Sequence, residues 1–185
     1  ARRLKEKEEK LTNIVYMGMG EPLLNLAAVE KSIETIIDPQ KMGLSQRRLT
    51  ISTAGYPEQI KQLVDDGYDQ LQLAISLHAP EQKLREKIMP IAKVHQLNEL
   101  FAAIDYYVDS CNKLVSYEYI LLKGINDQPE QAQQLATLLK NRLAHVNLIP
   151  YNPVAGVPYQ APSREEVKKF AQVLEDEGVP SSIRV

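Results

Sequence analysis

Apolar residues along this chain alternate between strand-like runs and helical spacing, and that alternation constrains the fold more than any other property. Ile14-Val15-Tyr16-Met17 is a short apolar run, after which Leu26, Val29, Ile33, Ile36 and Ile37 fall on one helical face. Leu49-Thr50-Ile51-Ser52 reads as a strand, and Pro57 to Asp66 as a helix opened by proline and closed by Gly67. Leu71 to Leu77, Tyr117 to Leu122 and Val146 to Ile149 are further strands, and Ser182 to Val185 begins another. Between them lie a short helix with Leu84 and Ile88 and a longer one with Leu97, Leu100, Phe101, Ile104 and Val108. Asp127 is expected to cap a helix bearing Leu135, Leu138 and Leu139, and Ser163 with Glu166 forms a capping box ahead of Val167, Phe170, Val173 and Leu174. Strands joined by helices run parallel, with right-handed crossovers. The expected architecture is α/β, a partial (β/α) barrel of parallel strands with outer helices, formed as one domain over residues 1–185.

Composition narrows the setting. The net charge of −2 gives no global basic field for nucleic acid, although a local patch is still compatible with it. No apolar run approaches the roughly 20 residues of a membrane span. The lone Cys111 excludes an internal disulfide framework, fits a reducing cytoplasm, and cannot supply a cysteine cluster for a metal. His78, His95 and His145 show no metal-ligand spacing, so no metal site is expected.

The strands carry a consistent asymmetry. Alternation puts Leu71, Leu73, Ile75 and Leu77 on one face and Gln72, Ala74, Ser76 and His78 on the other. Tyr117, Tyr119 and Leu121 oppose Ser116, Glu118 and Ile120; Val146 and Leu148 oppose His145, Asn147 and Ile149; Leu49 and Ile51 oppose Thr50 and Ser52. One face suits helices. The other, if buried without partners, would be unfavourable by a few kcal/mol per group, so it suits a cavity with water or a polar ligand. An open sheet whose polar face meets solvent is the simpler alternative.

The unusual loops follow strands: Gly18 to Asn25, Ser52 to Gly55, Ser76 to Pro80, Lys123 to Asp127, and Pro150 to Pro153. Ligands bind outside the carboxyl ends of parallel strands, so these loops define the candidate site. In the first of them, alternate glycines let the backbone pass close to another group, Glu21 adds a carboxylate, and Pro22 stops the strand.

Four segments here resemble a known family: Met17-Gly18-Met19-Gly20-Glu21-Pro22-Leu23-Leu24-Asn25, Arg47 to Gly55, Ala74-Ile75-Ser76-Leu77-His78-Ala79-Pro80, and Asn147 to Pro153. In order and spacing they look like the radical S-adenosylmethionine methyltransferases of the RlmN/Cfr type, from about Asn13 to the end. The resemblance implies a radical S-adenosylmethionine core, and methylation of an adenosine in 23S rRNA, with tRNA also a substrate of the RlmN branch at C2. It assigns Gly20 and Glu21 to the methionine end of the cofactor, and Ser52, Ser76, Leu77 and His78 to its lining. Asn152 is the asparagine before proline in the last loop, where the family often has Trp at the position of Tyr151.

The family also uses a [4Fe–4S] cluster on a C-x3-C-x2-C loop and a methyl-carrying cysteine beyond the last strand. The sequence has neither, so the chain is expected to be a core lacking its first βα unit and its C-terminal segment, without turnover by itself. Residues 1–12 are then the remnant of the preceding helix, and the open barrel edges predict self-association. Without the resemblance, Glu21 reads equally well as a helix-start carboxylate, and Ser52 or Ser76 as turn or capping residues. Two other functions remain open: a non-catalytic barrel remnant that binds a nucleoside or RNA, and a different barrel enzyme using Glu21, His78 and Glu118 in acid–base work.

Overall fold

The computed structural model describes residues 10–184; the expected remnant of a preceding helix lies largely outside them. Six parallel strands form one sheet in chain order: β1 Ile14–Tyr16, β2 Leu49–Thr53, β3 Gln72–Ser76, β4 Val115–Leu121, β5 Ala144–Pro150 and β6 Ser181–Ile183. Helices join them: α1 Leu26–Ile37, α2 Pro57–Asp65, α3 Gln82–Ile88, α4 Leu97–Cys111, α5 Pro129–Leu139 and α6 Arg164–Asp176. Each strand is hydrogen-bonded to its neighbour in sequence, which is the wall of a partial barrel. No helix among the described residues is long and apolar enough to cross a membrane.

The greasy row behaves as alternation requires. Leu49, Ile51, Leu73, Ile75, Tyr117, Tyr119, Val146 and Leu148 are all buried under the helices. From the helix side come Val29 and Ile33 of α1, Ile60 and Leu63 of α2, Leu100 and Ile104 of α4, Leu135 of α5 and Phe170 of α6. Two of the buried phenols keep partners: Tyr107 Oη donates to the Leu71 carbonyl at 2.6 Å and Tyr119 Oη to the Asn126 carbonyl at 2.8 Å. Burying an aromatic this way retains its area without stranding its hydroxyl.

Local signals set the helix ends. The Ser163–Glu166 capping box forms as expected, with Glu166 N donating to Ser163 Oγ at 3.2 Å. Asp127 is not the cap of α5. Gln128 is, in a box with Gln131, while the Asp127 carboxylate turns back to accept from Gly124 N at 2.8 Å. The tight loop through Gly124 (φ +69°) takes the carboxylate that a cap would have used. Cys111 is buried as the last residue of α4.

Candidate functional site

The opposite face of the sheet lines an open concavity whose side chains are mostly half-buried. Its main chamber, about 580 Å³, lies at the carboxyl ends of the strands and is bounded by Gly20, Glu21, Ser52, Ser76, His78 and Glu118. A second chamber of about 410 Å³ continues down the same face, past Thr50, Ala74, Ser116 and Asn147. Glu118 borders both.

The loop after β1 makes the first wall. Gly18 and Gly20 adopt φ of +139° and +100°, which a side chain would strain. A Cβ on either would meet no protein atom within 4 Å, so these glycines serve backbone conformation and leave open space beside them. Glu21 accepts from Leu23 N at 3.1 Å, capping the 3₁₀ turn Pro22–Asn25, and from Ala54 N at 2.8 Å. The helix-start role is therefore real, and the same carboxylate also ties the β1 loop to the β2 loop. A carboxylate accepts at about four positions, so two remain.

His78 sits in the left-handed region (φ +59°). Its Nδ1 accepts from Ile120 N at 3.1 Å and its carbonyl accepts from Asn126 Nδ2 at 2.8 Å. Burial pushes the imidazole down to about 4, helped by the neighbouring Arg85 cation and opposed by the backbone bond to Glu118. The ring is thus neutral near pH 7, and with Nδ1 accepting, the hydrogen is on Nε2.

Two further residues build this rim and escaped the sequence reading. Arg85 is fully buried with no carboxylate partner. Its guanidinium donates to the carbonyls of Leu77 (3.2 Å), Ala54 (2.6 Å) and Ser76 (3.3 Å), clamping the ends of β2 and β3 together. Burial lowers its pKa to about 10, so it stays charged at neutral pH. The available signal was its place beside Leu84, one turn before Ile88, inside an apolar helical stripe. Asn126, also fully buried, receives Leu122 N at 2.7 Å and donates to the His78 and Ile120 carbonyls. A third missed feature is the segment Ile88-Met89-Pro90-Ile91, which adds apolar lining to the chamber.

Of the residues expected at the site, Gly20, Glu21, Ser52, Ser76 and His78 line one chamber. Leu77 does not: its side chain is buried in the core on the greasy face, and only its backbone joins the rim, donating to the Glu118 carbonyl at 3.1 Å. Asn152 is exposed in the loop after β5, off the chamber wall.

A polar rim at the carboxyl ends of parallel strands, with an acidic glycine loop after β1, defines a barrel core with a candidate ligand site at its rim. The chain belongs to the radical SAM superfamily, whose profile matches residues 1–136. It is 47% identical over 179 residues to a probable dual-specificity RNA methyltransferase RlmN of Synechocystis sp., covering 97% of this chain and 50% of that protein. A probable dual-specificity RNA methyltransferase RlmN of Symbiobacterium thermophilum is 44% identical over 177 residues, covering 95% of this chain and 47% of that protein. The chain thus spans about half the length of the curated relatives it matches. A radical SAM methyltransferase from Sphaerobacter thermophilus superposes with a TM-score of 0.96 at 40% identity, over 100% of this chain and 54% of that one. A domain of a pyruvate-formate lyase-activating enzyme from Bacteroides vulgatus shares the fold, with a TM-score of 0.70 at 19% identity over 95% of this chain and all of that one.

The superfamily implies two cofactors, and this chain fits them unequally. An iron–sulfur cluster needs thiolate ligands, yet Cys111 is the one cysteine in the sequence and is buried at the far end of α4. No trio of His, Cys, Asp or Glu among the described residues is placed to hold a metal. The residues present do not fit a cluster. They do fit S-adenosylmethionine, with carboxylates for an ammonium, hydroxyls for ribose, and apolar Ile88, Ile91, Ile120 and Ile149 for a purine face.

Proposed function

We propose that the chamber holds S-adenosylmethionine and that the intact protein uses it to methylate an adenosine of RNA at C2, with 23S rRNA and tRNA as substrates. The observation that carries this reading is the convergence of Gly20, Glu21, Ser52, Ser76 and His78, drawn from the carboxyl ends of three different strands, on one chamber of cofactor size. The names of the RlmN relatives support the RNA substrate and the dual specificity.

Within that reading each residue has a definite task. Gly20 gives the methionine end access to the backbone, and Glu21 keeps acceptor positions for its ammonium. Neutral His78 offers Nε2–H as a donor. Ser52 and Ser76 meet hydroxyl or carboxylate oxygens, and Asn152 pairs with the adenine edge when its loop folds over the ligand. This chain alone, having no cysteine trio, is expected to bind the cofactor without turnover.

Titration calorimetry on the folded chain should show S-adenosylmethionine binding that Glu21→Ala weakens by about tenfold or more, while Glu21→Gln loses less. A well-folded sample that takes up no heat would remove the cofactor reading. For the substrate, the intact protein with its cluster reconstituted anaerobically should yield 2-methyladenosine in both 23S rRNA and tRNA by mass spectrometry. Recovery of 8-methyladenosine instead would overturn the C2 assignment.

A further inference from the structure

A groove of about 370 Å³ lies at one side of the rim, between the end of β5, the start of α6 and β6. Its floor is apolar, made by Pro162, Val167 and Ile183. Its charged lining is cationic throughout: Arg164 and Lys168, one turn apart on α6, and Arg184 just past β6. No carboxylate lines it. The three cations are exposed and form no salt bridge among the described residues. The neighbouring Glu166 is engaged elsewhere, accepting from Ser163 N and facing Lys123 at 4.0 Å.

The chain carries a net charge of −2, so three unpaired cations around one groove are a local concentration against the overall sign. Like charges held together without an acid repel, and an anion laid between them relieves this. The apolar floor adds a second requirement: the anion must also present apolar faces. The sugars and bases of an unpaired strand do so, and a bare phosphate does not. Aromatic rings beside a basic groove are a common means of holding such a strand. Here Tyr151 and Tyr159 meet edge-on at 6.0 Å, in the loop that leaves the groove at Pro150 and returns to it at Pro162.

Arg184 sets the direction. It borders this groove and the main chamber alike, and its N–H donates to the Leu148 carbonyl at 2.8 Å, which fixes its backbone at that junction. A strand lying in the groove therefore leads into the chamber. On the reading that the substrate is RNA, we infer that the groove holds the unpaired RNA next to the target adenosine. Arg164 and Lys168 take its phosphates, and Arg184 guides it at the turn into the chamber.

The test uses the intact protein and a fluorescent single-stranded RNA of about 12 nucleotides, followed by anisotropy across a salt series. Arg164→Gln with Lys168→Gln should bind it about tenfold more weakly. The slope of log K against log salt should shrink by about 1.4, because two phosphate contacts at about 0.7 each are lost. The same charge change at Lys31 of α1 and Lys113 before β4, away from the groove, should leave both quantities nearly unchanged. An unaltered slope in the first variant, or an equal loss in the second, overturns the assignment. A measurement on wild type stands independently of both variants: an acetylating reagent should modify Lys168 in the free protein and not in the RNA complex. Lys168 protected without RNA means that another part of the intact protein fills the groove, which overturns the proposal. So does poly-glutamate that competes as well as RNA of equal charge, since the groove then takes any polyanion. Wild type that binds RNA but fails these comparisons sinks only the groove, whereas wild type that binds no RNA sinks the RNA substrate itself.

Discussion

The rim has two halves of different construction. On the β1–β4 side, charged and polar side chains cross from loop to loop: Glu21 reaches Ala54, Arg85 reaches Ala54, Ser76 and Leu77, and Asn126 reaches His78. On the β5 side, the segment from Tyr151 to Pro162 is held by backbone bonds, Tyr151 N to Leu121 O and Lys123 N to Gln160 O, and by an edge-on contact between Tyr151 and Tyr159. The cross-braced half presents a finished wall. The other half leaves Asn152, Val154 and Val157 exposed. A preformed wall lowers the ordering entropy that a ligand must overcome, while a loosely held loop can close over it afterwards.

Four measurements can break this contrast or sharpen it. Arg85→Met should have the largest effect, lowering stability in denaturant unfolding by about 3 kcal/mol, because three strand-end carbonyls lose their donor in the interior. A loss under 1 kcal/mol would mean that the two strand ends hold themselves. Asn126→Ala comes next at about 2 kcal/mol, since Leu122 N and the His78 and Ile120 carbonyls are left unpaired.

His78 acts through pH. Its folded pKa, near 4, lies below the ordinary 6.5. Between those values the unfolded chain takes up a proton that the folded chain does not, so stability falls as pH drops from 6.5 toward 4 and levels off below. His78→Gln should flatten that part of the stability–pH curve; an unchanged slope assigns it to other groups. The smallest effect belongs to the open half. Asn152→Ala should shift stability by no more than about 0.5 kcal/mol while weakening S-adenosylmethionine binding, and a large stability loss would show that its loop is structural after all.

The same contrast explains how far the sequence could be read. Strand alternation is a local property, so the greasy row from Leu49 to Leu148 and the polar row from Thr50 to Asn147 were both legible, and with them the barrel wall. Ser52, Ser76 and Glu21 were legible because they stand at strand ends. Arg85 was not. Its partners lie 31 residues away at Ala54 and across the turn after β3, and a cation on a helix reads as surface until the chain has folded. Asp127 was misread for a related reason: an acidic residue before a helix signals a cap, but the loop at Gly124 competes for it. Leu77 was assigned by motif, and its alternation puts its side chain in the core, so its backbone is the part that joins the rim.

Cys111 adds something that none of these perturbations provides. It is buried at the end of α4, and burial, with Asp69 nearby, raises its thiol pKa, so it reacts poorly while the helix stays packed. Its rate of labelling by a thiol reagent therefore times the opening of that helix from the sheet, away from the rim and without an added probe. Because it is the single thiol in these 185 residues, every modified molecule reports the same event.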